Sequence, residues 1–202
     1  MTIILIVITV AVSYAAFNSP KLMDQLQFNA SKIVHKHEYH RLITHAFVHA
    51  NWEHLLVNMI VLYSFGGAIE VYFREYFGNN HILYYFLLYF GGILASNLYA
   101  LVKHHNNYFY NAVGASGAVS SIVFAAIFFD PWNKILFFMV LPIPGIVFSA
   151  LYLVYSYQMS MKQKDNVAHD AHFLGALYGF IFPILVNPPL FETFLDKLFR
   201  LI

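Results

Sequence analysis

The chain contains no cysteine. Disulfides, cysteine–zinc sites and thiol nucleophiles are thereby excluded. Charge is also scarce. Asp, Glu, Lys and Arg make up 10% of the 202 residues, against about 25% in an ordinary soluble domain. The net charge of +1 leaves no electrostatic case for a nucleic-acid partner. No Lys or Arg precedes the apolar residues 1–17, and no clear small-residue cleavage site follows them. They read as a first membrane helix rather than a removable signal peptide. There is no internal repeat, no low-complexity tract and no sign of a second domain, so residues 1–202 read as one membrane domain.

What is present is apolar. Hydrophobic residues make up 60% of the chain, and mean hydropathy is +0.61. The 15 Tyr and 21 Phe often fall near segment ends, as interfacial anchoring favours. A spanning helix needs roughly 20 apolar residues. Six segments qualify, at about 1–17, 52–69, 82–102, 113–129, 142–158 and 167–186. The expected fold class is all-α, a polytopic membrane protein with six transmembrane helices and the lipid bilayer as its surroundings. The long connection 18–51 mixes charges with the apolar-patterned RLITHAFVHA and reads as partly embedded in the interface. Asn51 is placed to cap the second helix. Pro142 and Pro144 suit the first turn of the fifth. Six crossings put both termini on one side. Lys21, Lys32, Lys36, Arg41, Lys103, Lys162 and Lys164 lie on the opposite side, while Arg74, Lys134, Lys197 and Arg200 lie with the termini. Read literally, the positive-inside rule puts the termini outside. If the embedded first loop is discounted, the count is nearly balanced, so charge does not fix orientation.

Three polar features interrupt the apolar helices. Ser116, in GASG (114–117), opens the fourth helix. That run spans roughly 25 Å at 1.5 Å per residue, less than the bilayer core of about 30 Å. Its first turn then lies below the membrane surface, with unpaired N–H groups and the positive dipole end beside the serine oxygen. Such donors can stabilise an oxyanion. The bland alternative is packing, since Gly117, Ser121 and Ala125 form a small-residue stripe. GASG is also not the soluble-hydrolase elbow G-x-S-x-G, because Ala118 replaces the last glycine. His172 opens the sixth helix and shares a face with Gly175 and Gly179. That GxxxG pair permits close approach to the Gly117 stripe, which would put an imidazole beside the Ser116 hydroxyl as a general base requires. The bland reading of His172, and more so of His169, is an interfacial histidine satisfied by water. His54 and Asn58, four apart on the second helix, share a face and offer two donors at the same depth. A polar contact between helices is their alternative. Agreement in depth and side across three helices favours catalysis.

In order along the chain stand HANWEHLLVNM (49–59), the Glu70/Arg74 pair in GGAIEVYFREYFG, GASG and AHFLGALYG (171–179). Together these resemble the rhomboid family of intramembrane serine proteases, over nearly the whole chain. The resemblance implies the six-helix rhomboid core, with Ser116 as nucleophile and His172 as general base in a dyad without a catalytic aspartate. It implies an oxyanion hole from His54, Asn58 and the Ser116 N–H, and helix packing near the site through Gly114, Gly117, Gly175 and Gly179. It implies no metal and no cofactor, transmembrane proteins as substrates, a bacterial inner (cell) membrane, cytoplasmic termini and a site opening to the outside. The fifth helix and the loop around 157–167 would form a cap and lateral gate. Glu70 and Arg74 are expected to be structural. Many family members carry an aromatic residue one turn after the serine, where this chain has Ser120. Asp170 is two residues from His172 and so points elsewhere.

Two rivals stand against this reading. Eleven histidines, with His45/His49, His104/His105 and His169/His172 as pairs, suggest a membrane metalloenzyme, but the paired HxxHH box of di-iron desaturases is missing, and membrane metal sites usually recruit carboxylates or cysteine. A rhomboid-like protein that binds membrane clients without cutting them usually lacks the serine or the histidine, and both are present here.

Overall fold

The structure, a computed structural model, describes residues 1–137, 140–162 and 168–199. It is mostly helical. Helix α1 (Thr2–Phe17) leads into three short helices of the first connection, α2 (Pro20–Leu26), α3 (Ala30–Lys36) and α4 (Arg41–Thr44). The long helices α5 (Trp52–Phe77) and α6 (His81–Lys103) follow, then α7 (Ser116–Phe129). A hairpin of β1 (Lys134–Phe137) and β2 (Leu141–Pro144) precedes α8 (Gly145–Lys162), α9 (His169–Val186) and α10 (Leu190–Phe199). The helical stretches Trp52–Lys103 and His169–Val186 are long and apolar enough to cross a membrane; α1 and α7 are apolar but shorter.

The burial pattern is that of a protein bathed in lipid. The inward stripe of α1 is Thr2, Leu5, Thr9, Ser13 and Ala16, while Ile3, Ile4, Val7 and Ile8 face out. Small and polar residues make the helix–helix contact, and large apolar ones cover the outside, the arrangement expected where lipid is as apolar as leucine. The same outward display of Leu, Ile and Val runs along α5, α6, α8 and α9. At the centre is α7, with every residue from Gly117 to Phe129 buried. It packs most extensively on α9, then on α6 and α5, and only lightly on α8.

Several boundaries differ from expectation. The helix expected over 52–69 runs on to Phe77 as α5, because residues 70–77 continue its apolar face through buried Phe73, which packs edge-on against Phe77 and Phe129. Pro142 and Pro144 lie not in a first helical turn but in β2, opposite Leu136 and Lys134. Residues two apart in a strand present their nitrogens to the same edge. Both prolines can therefore sit on the unpaired side of a two-stranded ribbon, where a missing N–H costs nothing. The last helix, α10, was not anticipated. It closes the end of the bundle by stacking Phe194 on Phe128, and Lys197 Nζ donates to the Phe129 carbonyl at the C-terminus of α7 (2.8 Å). Of the expected cap loop, residues through Lys162 are helical, and 163–167 lie outside the described residues.

The first connection is ordered by one buried guanidinium. Arg41 donates from Nε to Glu38 Oε2 (2.6 Å) and from a terminal nitrogen to the carbonyls of Asp24 (2.5 Å) and Gln27 (2.8 Å). The Arg41 hydrogen bond holds Glu38 below its ordinary carboxylate range, and the hydrogen bond from Lys32 does the same for Asp24. Glu70 accepts from the Thr2 backbone N–H (2.6 Å), which ties α5 to the start of α1.

Candidate active site

Ser116 is the first residue of α7. The first intrahelical bond of that turn runs from the Val119 N–H to the Ala115 carbonyl (2.9 Å). The N–H groups of Ser116, Gly117 and Ala118 therefore belong to the end of the helix that has no intrahelical acceptor. Those three residues line a cavity of about 20 Å³, together with His45, Ser96, Asn97, Gly114, Ala168 and Ala171. A polar space of that size holds about one water molecule.

The loop ahead of Ser116 is held by two buried histidines. Gly114 N–H donates to the His45 carbonyl (2.9 Å). His45 Nδ1 faces the Arg41 carbonyl (2.8 Å) and so carries the proton; Nε2 then accepts from Asn97 Nδ2 (3.0 Å). His49 is similarly resolved by its network. The Ser13 hydroxyl gives its proton to the Phe47 carbonyl (2.9 Å), so His49 Nδ1 donates to Ser13 Oγ (3.0 Å). His49 Nε2 is left to accept from the Ala115 N–H (3.4 Å). Burial pushes His45 down to about 4, and burial with His54 nearby pushes His49 down to about 3, so both rings are neutral. These histidines, paired in the sequence as metal candidates, brace the serine loop. Among the described residues, no three His, Asp or Glu side chains converge where they could hold a metal ion. Ser13, Ser96 and Asn97 were missed in the sequence. A polar residue in mid-helix, Asn97 within an apolar α6, was the available signal.

Gly114 has φ +114°, and a Cβ there would lie 2.5 Å from His54 Cε1. It is not a helix-packing glycine, as expected, but the surface against which the His54 imidazole lies. Only glycine supplies both the backbone angle and the space. Asn51 Oδ1 accepts from the His54 N–H (2.8 Å) and caps α5 as anticipated. Asn58 is buried and donates one amide proton to the His54 carbonyl (2.9 Å), which leaves its second N–H for another acceptor.

The α7–α9 contact is made backbone to backbone. A Cβ on Gly175 would collide with the Gly117 carbonyl, and one on Gly179 with the Ser121 main chain. Ser121 Oγ donates to the Gly175 carbonyl (2.8 Å) and pins the register. On the other side of α7, a Cβ on Gly117 would strike Ser96. His172 lies in the first turn of α9, beside cavity-lining Ala171, with its ring 6.1 Å from that of His169. Asp170 Oδ1 accepts from the Ala171 N–H (2.9 Å). Ser120 faces Tyr152 of α8, with the two hydroxyls 3.1 Å apart.

The fold and the site define a helical protein with a serine at the start of a buried central helix. The chain matches the Rhomboid domain family model over residues 36–189 and belongs to that family. It is 26% identical over 182 residues to "RHOMBOID-like protein 12, mitochondrial" from Arabidopsis thaliana, covering 83% of this chain and 52% of the relative. The chain thus spans about half the length of the curated relative that it matches. Members of the family are integral membrane proteins. The bacterial inner membrane expected from the sequence gains no support here, since that relative is mitochondrial.

Proposed function

We propose that this chain is an intramembrane serine endopeptidase that cleaves peptide bonds in or near transmembrane segments of other membrane proteins. Residues 1–202 then act as one membrane domain, with α1, α5, α6, α7, α8 and α9 as six crossings. The observation that carries the reading is the placement of Ser116. It opens a 14-residue buried helix, roughly 21 Å long, whose first-turn N–H groups border a polar cavity, and glycine contacts hold α9 with His172 against the same turn.

In this reading Ser116 Oγ attacks the scissile carbonyl as His172 takes the hydroxyl proton. The tetrahedral oxyanion is held by the Ser116 N–H and by the side chains of His54 and Asn58. Collapse breaks the C–N bond, and the leaving amine takes the proton from His172. The acyl group stays on Ser116 Oγ. Water, activated by His172, then attacks the ester, releasing the new carboxyl terminus and restoring the serine. The cavity beside Ser116 supports a local supply of that water. A helical substrate hides its carbonyls, so segments with helix-weakening residues and a small residue at the cleavage point are the expected substrates. The proposed topology places both termini on one side and the site opening on the other, with the termini cytoplasmic if the host is a cell membrane. A reporter fused to the C-terminus reads that side.

The test is cleavage of a single-span substrate in proteoliposomes with EDTA present, comparing wild type with Ser116→Ala and His172→Ala. Activity in wild type alone supports the metal-free dyad. Activity in both variants refutes it. A wild type that neither cleaves nor reacts with a fluorophosphonate at Ser116 points to a client-binding relative instead.

A further inference from the structure

Among the contacts that helix α8 makes with the bundle are those of two tyrosines three residues apart. The Tyr152 hydroxyl lies 3.1 Å from Ser120 Oγ on α7, and its ring packs against Phe124 at 5.5 Å. The Tyr155 ring meets His169 edge-on, with centroids 5.6 Å apart and planes at 84°. His169, buried, meets His172 at 6.1 Å and 75°. A chain of rings therefore runs from α8 through His169 to His172. Ser120 sits one turn after Ser116, and its hydroxymethyl group reaches α8 rather than spreading a flat surface toward the first turn of α9.

Resting on the Ser116–His172 reading above, we propose that Tyr155 and His169 are positioning residues. Together they set the rotation of the His172 ring and make it depend on α8 being docked. The outer torsion of a histidine is broad and roughly two-fold, so the ring's plane must be imposed by its neighbours. His169 lies one turn before His172 on the same face of α9, and Tyr155 backs His169 from a different helix. Because α8 is held chiefly by α9 and only lightly by α7, displacing it withdraws Tyr155 and loosens the stack. Docking of α8 and orientation of the proton acceptor are then one event. The Tyr152–Ser120 contact sets the depth of α8 at which the stack forms.

The experiment compares wild type, His169→Ala, His169→Phe, Tyr155→Ala, Tyr155→Phe and the double alanine variant. It measures kcat and KM on the single-span substrate and the rate of fluorophosphonate labelling of Ser116. His169→Ala is expected to lower kcat and labelling about 10- to 100-fold, the scale for a misplaced reacting group, with KM little changed. The phenylalanine variants keep a ring edge and recover most of the loss. The double alanine variant falls no further than His169→Ala, since the two residues act through one stack. Should His169→Ala fail to fold, the half-exposed Tyr155 pair gives the same comparison. The proposal is overturned if the alanine variants keep wild-type kcat, if the loss lies in KM alone, or if phenylalanine restores nothing. Those outcomes leave an active wild type and an intact dyad reading. A wild type inert to substrate and probe overturns both.

Discussion

Adding one methyl group at Gly179 tests the central packing contact. The Cβ of Gly179→Ala would lie 2.5 Å from the Ser121 Cα and 2.6 Å from its carbonyl carbon. Both are main-chain atoms of a buried helix and cannot rotate aside. Ordinary contact begins near 3.4 Å, so α7 and α9 must separate by about 1 Å. Overpacking of this kind costs about 1–3 kcal/mol. Weakening the Ser121–Gly175 hydrogen bond adds about 1 kcal/mol, and the better helix propensity of alanine returns about 1 kcal/mol. The net is a loss of about 1–3 kcal/mol, or roughly 3–10 °C in the unfolding midpoint for a chain of this size. Gly67, on the outer side of α5, is the control, because its added Cβ would meet nothing within 4 Å. Gly67→Ala should melt at or slightly above wild type. The assay is thermal unfolding in mild detergent, with cleavage rate measured alongside. Separation by 1 Å at the proposed Ser116–His172 dyad should also lower kcat by about 100-fold. A Gly179→Ala protein as stable and active as Gly67→Ala would refute the backbone contact.

Two further predictions concern the first connection. His45 has a folded value of about 4 against an ordinary 6.5, so the unfolded chain binds more protons in that window, and stability is full above pH 6.5 and falls as pH drops toward 4. The melting temperature in detergent should decline across that range, and His45→Gln, which keeps an acceptor for Asn97, should lessen the decline while His49 sustains the rest; an unchanged slope would remove His45 as a source. Arg41→Lys keeps the charge but cannot reach Glu38 and two carbonyls in one planar fork. It should cost about 2–3 kcal/mol and expose residues 20–40 to protease, and protease resistance equal to wild type would show that the fork is dispensable.

Much of this protein was determined by its sequence alone. The scarcity of charge and the long apolar runs point to a helical membrane protein, because hydrocarbon admits only backbones that satisfy themselves internally. The small residues of GASG and AHFLGALYG specify the α7–α9 seam, since only glycine lets two backbones touch, and the Gly175–Gly117 and Gly179–Ser121 contacts are the ones their spacing suggested. Asn51 was legible as a cap for the same reason of local geometry. What only the tertiary structure decided depends on residues distant in sequence. His45 and His49 look alike in sequence to metal ligands or interfacial residues, and become braces because Asn97, Ser13 and Ala115 arrive from other elements. Gly114 reads as one more packing glycine until its backbone angle and the His54 ring above it are seen. Ser120 gains meaning only opposite Tyr152, and His169 only between Tyr155 and His172. Periodicity and glycine spacing are local properties that a chain carries with it, whereas the partner of a buried polar side chain exists only once the helices have packed.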